Sequence, residues 1–104
     1  MMTIDQIKGL CAERKILWSV HATEMMMRRG INRLDVFNCL QNGEIIESYP
    51  DSFPHPSCLV FGYSAGKKVL HTVVGMKEDT LVIITAYFPD TVKFEADLKT
   101  RKGK

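Results

Sequence analysis

One change of period constrains the fold of this chain more than any other feature. Before Gly43 the apolar residues recur three and four positions apart; after it they come in short runs and alternations. "TIDQIKGLCAERK" places Ile4, Ile7, Leu10 and Cys11 on one side of a helix, with Thr3 as its cap and Gln6 at the reciprocal capping position. "ILWS" is a short extended linker or strand. Ser19 then caps a second helix that stops at Gly30, a residue suited to a left-handed end. Asn32 caps a third, with Asp35 favourable in its first turn and Val36, Phe37 and Leu40 on its buried side.

Strand signals begin at "EIIESY" (Glu44–Tyr49). "PDSFPHPS" holds three prolines in eight residues and must be a loop. "CLVFGYS", most of "KVLHTVVGMK", and "LVIITAYF" follow as three more strands joined by the turns "AGKK" and "EDT". Helices first and an antiparallel meander second predict an α+β fold: N-terminal helices packed on a twisted four-stranded antiparallel sheet. A single domain over residues 1–104 is expected, with helices over about 3–42, the sheet over about 44–88, and a short C-terminal helix or fraying tail over 91–104.

Composition narrows the function classes. A hydrophobic content of 45% supports one real core, and a net charge of +2 does not by itself announce a nucleic-acid binder. Three scattered cysteines, Cys11, Cys39 and Cys58, without a C-x-x-C pair, argue against a disulfide framework and a structural zinc site. A reducing, cytoplasmic setting fits. The start "MMTIDQIKGL" has no signal-peptide run, and the longest apolar stretch is strand-length, so no membrane association is expected.

The polar residues that could carry chemistry sit at the borders of these elements. His21, Met25 and Arg29 share one flank of the second helix, at about 100° per residue, with Arg28 close by in angle. Unbroken alternation puts Val69, His71 and Val73 on one face of the third strand. It puts Leu81, Ile83, Thr85 and Tyr87 together on the fourth. Tyr49, Tyr63 and Tyr87 can serve as base-stacking platforms or as ordinary strand aromatics.

Paired carboxylates, a glycine-rich phosphate loop and a nucleophile elbow are all missing. Histidines, arginines, a Thr and tyrosines suit metal-independent RNA cleavage, which needs a base at the ribose 2′-hydroxyl, a cation on the phosphorane and an acid at the leaving oxygen. The structural alternative is a hydrogen-bonded brace between helix and sheet. A metal site from His21, His55 and His71 is remote, since no two share ligand spacing.

As an ordered series, "HATEMMMRRGI", "LDVFNCLQNGEIIESY", "PSCLVFGYSAGKKVLHTVVG" and "IITAYFPD" resemble a family of small uncharacterised bacterial domains. The pattern covers about Ser19 to Phe94. That family is distantly similar to the RelE and BrnT type toxin ribonucleases, by fold-level analogy. The resemblance implies His21, Arg29, His71, Thr85 and Tyr87 as catalytic positions; Arg28, by its place beside Arg29, and Tyr49 and Tyr63, as strand aromatics, are the expected RNA contacts. It also implies RNA as substrate, an antitoxin protein as partner and no cofactor. Met25 stands where the family usually has a second basic residue, and Phe94 where a Trp is common. The runner-up is a non-catalytic protein-interaction module of the same fold.

Overall fold

A computed structural model describes residues 2–103. Three helices form where their caps are written. In α1 (Ile4–Ala12) the Thr3 hydroxyl accepts from the Gln6 N–H at 3.2 Å, and the Gln6 side chain returns a bond to the Thr3 N–H at 3.0 Å. In α3 (Arg33–Asn42) Asn32 and Asp35 make the same reciprocal pair at 2.9 and 3.0 Å. Between them, α2 (Val20–Arg29) starts at Ser19, whose hydroxyl accepts from the Ala22 N–H and donates to the Ile83 carbonyl, both at 3.1 Å. One cap therefore also fastens α2 to the sheet. Gly30, at φ 70°, closes α2 in the left-handed region that other residues enter only at a cost.

The sheet has five strands, not four. They are β1 (Ile16–Trp18), β2 (Glu44–Tyr49), β3 (Ser57–Tyr63), β4 (Val69–Lys77) and β5 (Thr80–Tyr87), in the order β1-β5-β4-β3-β2. β1 is the added member. It pairs parallel to β5, Ile16 opposite Leu81 and Trp18 opposite Ile83, so the sheet is mixed. Three residues carry too little alternation to declare a strand, and a partner more than sixty residues away decides the matter.

All three helices lie on one face. Ile7, Cys11, Ala22, Met26, Val36 and Leu40 meet Val60, Leu70, Val74, Leu81, Ile83 and Ala86 in the main core. Cys39 sits where α3 presses on β3 and β4, its thiol donating to the Leu70 carbonyl and accepting from the Thr72 hydroxyl. Burial pushes this thiol up to about 11, so it packs as a small apolar group. The three cysteines are free and buried. Among the described residues no helix is long and apolar enough to cross a membrane.

The C-terminal segment departs from expectation. Residues 89–103 form no helix and run as a strap with one isolated bridge, Phe94 to Arg101. Arg101, expected to fray, is held by Glu47 through bonds of 3.1 and 3.0 Å.

Gly62 marks the tightest approach of α3 to the sheet. A Cβ there would collide with the Cys39 carbonyl and lie 2.9 Å from its Cα, whereas a Cβ on Gly66 would meet nothing closer than 3.8 Å. Gly62→Ala is expected to cost about 1–3 kcal/mol by urea unfolding, and Gly66→Ala to stay within about 0.5 kcal/mol. Equal midpoints for the two variants would contradict this packing.

Candidate functional site

The face away from the helices is where the polar residues gather, and a β-bulge is the reason. Val73 pairs with Thr85 and Val74 with Ile83, so Ile84 is the extra residue. Leu81 and Ile83 stay in the core. Beyond the bulge the facing inverts, and Thr85 and Tyr87 stand opposite Val73 and His71 on the second face. Unbroken alternation had grouped all four β5 residues together; the bulge corrects that grouping and brings Thr85 and Tyr87 to His71.

His71 is fully buried on this second face. Its Nε2 lies 2.7 Å from the Leu98 carbonyl and its Nδ1 lies 3.2 Å from the Tyr87 hydroxyl. A carbonyl only accepts, so Nε2 carries the hydrogen. Nδ1 is then the acceptor, and Tyr87 donates to it. Phe61, Tyr87 and Phe94 surround the imidazole edge-to-face at 6.0, 5.2 and 4.8 Å between ring centroids. Burial holds the imidazole below its ordinary value, against the Leu98 bond and the Glu47 carboxylate, which pull upward. Burial likewise holds the Tyr87 hydroxyl above its ordinary value. Both groups are thus kept neutral.

The strap seals this arrangement. Phe94 and Leu98 cover His71. Lys99 stands over the Phe61 ring and pairs with Glu44 at 3.2 Å, and Arg101 lies over the Phe94 ring while gripping Glu47. Tyr49 donates to the same Glu47 carboxylate. The turn in the strap is set by Asp97, which accepts from the Thr100 and Lys99 N–H groups and from the Thr100 hydroxyl.

Beside the sealed imidazole a cleft of about 500 Å³ opens, lined by Arg29, Thr85, Tyr87, Phe88, Lys93 and Arg101, among others. Arg29 comes from the last turn of α2. One of its terminal nitrogens, Nη1, donates to the Thr85 hydroxyl at 3.0 Å and to the Ala86 carbonyl at 2.8 Å. The rest of its guanidinium faces no hydrogen-bond acceptor among the described residues. Three cations and one tyrosyl hydroxyl therefore border one concavity, with Asp90 as its only acidic lining residue.

A larger cleft of about 640 Å³ lies under α1. Its walls are apolar, from Met2, Leu10 and Met76, and its rim carries Glu13, Glu78 and Asp79. Such a rim repels a phosphate, so the smaller cleft is the better candidate for phosphate chemistry.

Of the five catalytic candidates, Arg29, Thr85 and Tyr87 share the cleft and His71 stands directly behind Tyr87. His21 does not join them. It is exposed in the first turn of α2, lines neither cleft, and makes no hydrogen bond or ion pair among the described residues. Arg28 is exposed outside the cleft, and Tyr49 is engaged with Glu47 on β2. Tyr63, 44% exposed, packs edge-on against Phe61 and also lies outside the cleft. Phe88, Lys93 and Arg101 were not singled out from the sequence. Phe88 closes a strand run, and the other two lie in a segment without periodicity.

Residues 18–88 match the family model DUF4258, described as a domain of unknown function, and the chain belongs to that family. No curated protein and no solved structure matches it.

The sealed imidazole has a signature in pH. The folded protein holds His71 neutral, while the unfolded chain takes up a proton near the ordinary histidine value of 6.5. Its contribution to stability is therefore complete above that pH and is lost as pH falls toward the lower folded value. Urea unfolding at pH 7.5 and 5.5 should show a drop for the parent that His71→Phe does not share. At pH 7.5 the substitution should cost about 2–4 kcal/mol, because the Leu98 carbonyl and Tyr87 hydroxyl lose their partner. A parent with the same stability at both values would contradict the assignment.

Proposed function

We propose that this member of the DUF4258 family is a metal-independent ribonuclease whose substrate phosphodiester lies in the Arg29–Tyr87 cleft. The observation that carries the reading is the Tyr87–His71 hydrogen bond at the wall of a cation-lined cleft. Tyr87 gives its proton to Nδ1, so the hydroxyl oxygen has a lone pair to turn toward the cleft. In the reaction the ribose 2′-oxygen attacks phosphorus. Its proton moves to Tyr87 as Tyr87 passes its own to His71. The bond from phosphorus to the 5′-oxygen breaks, and that oxygen is protonated from solvent at the open mouth. A 2′,3′-cyclic phosphate and a 5′-hydroxyl result, and His71 returns the proton through Tyr87 to the solvent that supplied the one on the 5′-oxygen.

Tyr87 is the catalytic residue in this scheme, and His71 acts through it. Thr85 fixes one edge of Arg29, whose remaining donors hold the phosphate oxygens together with Lys93, while Arg101 stays paired with Glu47 at the cleft wall. The Leu98 carbonyl and the Glu47 carboxylate stabilise the transient imidazolium, which burial alone would disfavour. His21 has no part. The similarity to RelE-type toxins, an antitoxin-type partner and a cytoplasmic location belong to the same proposal.

One observation favours a second reading, a non-catalytic interaction module. Among the described residues every buried side-chain nitrogen and oxygen has a partner. A polar cluster satisfied to that degree also serves as a brace between sheet and strap.

The readings part on activity. Cleavage of RNA by purified protein in EDTA is expected, with Tyr87→Phe and Arg29→Ala each lowering the rate by about 100-fold and His21→Ala leaving it unchanged. A well-folded parent that leaves RNA intact would overturn the ribonuclease and leave the brace.

A further inference from the structure

Phe88 is a partly exposed aromatic ring at the cleft and lies outside the main apolar core. It follows the last residue of β5, lines the cleft, and is 37% exposed. Pro89 comes next and restricts the backbone of Phe88 to extended conformations, which fixes where the side chain leaves the chain at the cleft. The Lys68 ammonium stands 5.6 Å from the ring centroid on one side. The backbone that carries Lys68 is fixed, because the β3–β4 turn is bolted to α3. Asn38 donates to the Tyr63 and Ser64 carbonyls at 2.8 and 3.1 Å, Asp35 accepts from the Ala65 N–H at 3.0 Å, and the Ser64 hydroxyl accepts from the Lys68 N–H at 3.1 Å. An aromatic face, a cation above it and three more cations around one concavity form the combination that binds a base beside its phosphates.

We propose that Phe88 is the base platform of this cleft and that the ligand is single-stranded RNA. One unpaired base stacks on the ring face opposite Lys68. The adjoining phosphate meets Arg29, and Lys68 and Lys93 serve the phosphates on either side. A base inside a duplex has both faces covered by its neighbours and cannot present one to Phe88, so the platform selects unpaired strands. This inference rests on the phosphodiester reading of the cleft. It adds a positioning residue and a substrate class to it, and it is indifferent to base identity, since every base has a stacking face.

The test is fluorescence anisotropy with a labelled octamer of 2′-O-methyl RNA, which cannot be cleaved by attack of its 2′-oxygen. The same octamer carrying abasic positions, and its duplex, complete the set. The parent should bind the intact single strand and bind the duplex more weakly. Phe88→Ala should weaken single-strand binding by about 5- to 100-fold while leaving the salt dependence and the affinity for the abasic strand unchanged. Phe88→Trp should restore binding. Arg29→Ala should weaken intact and abasic strands alike. A melting temperature within a few degrees of the parent's would show that Phe88→Ala is folded.

Unchanged single-strand binding by a folded Phe88→Ala variant would overturn the platform and leave the phosphodiester site standing. Equal binding of duplex and single strand would overturn the selection of unpaired bases. A parent that binds none of the three would overturn the phosphodiester reading, and this inference with it.

Discussion

The second face of the sheet is organised by one buried imidazole that must have both nitrogens satisfied. A valine at position 71 would pack against Phe61 and Val73 without further demands. A histidine there requires an acceptor for Nε2–H and a donor for Nδ1, because an unpaired buried polar group costs as much as the bond it lacks. Tyr87 reaches Nδ1 only because Ile84 is bulged and the end of β5 is turned over. Leu98 reaches Nε2 only because residues 89–103 fold back across the sheet. The exposed ion pair of Lys99 with Glu44 accompanies this arrangement and adds little, as exposed pairs do. The half-shielded pair of Arg101 with Glu47, made through two nitrogens, orients the strap more firmly.

The two faces consequently hold the molecule together by different means. Under the helices, aliphatic burial and a close backbone approach at Gly62 dominate. On the opposite side a small aromatic and polar cluster takes over, and its rim is the cation-lined cleft. Keeping His71 and Tyr87 neutral in the folded state lets that cluster be buried without an isolated charge. It also leaves the proton of the pair on Tyr87, where the proposed relay would begin. The same physical arrangement thus serves a brace or a reaction, and what separates them is whether Arg29 and Tyr87 meet a ligand.

How far the sequence could be read follows the range of the interactions involved. Thr3, Ser19, Asn32 and Gly30 were legible as helix ends because a cap is decided within four residues. β2 to β5 were legible because short apolar runs, alternation and turn residues are local signals. The Ile84 bulge was not, since "LVII" is a continuous apolar run in which no residue marks itself as extra, and the extra residue is defined only against β4. β1 was hidden for a related reason, its pairing being supplied by a distant strand. Thr85 and Tyr87 were named as site residues while their predicted facing grouped them with Leu81 and Ile83; the pairing with β4 resolves that conflict. His21 looked equivalent to Arg29 on a helical wheel. The two are two turns apart along the axis, and only the last turn of α2 reaches the end of β5.

The extent of the family match sharpens the role of the strap. The matched residues, 18–88, contain Arg29, His71, Thr85, Tyr87 and Phe88, while Lys93, Phe94, Leu98 and Arg101 lie beyond them. The site is therefore composite. The family segment supplies the polar row and the aromatic ring, and the segment after it supplies the acceptor for Nε2, the cover over the imidazole and two of the cations at the cleft. The proton affinity of His71 is set from both sides of that boundary, by burial that includes the Phe94 cover and by the Leu98 carbonyl beyond it, and by the Glu47 carboxylate within it. A change in the strap would alter the proton affinity of Tyr87 without replacing any residue of the matched segment, because Tyr87 senses the strap through the imidazole that Leu98 holds and directly through the Arg101 charge.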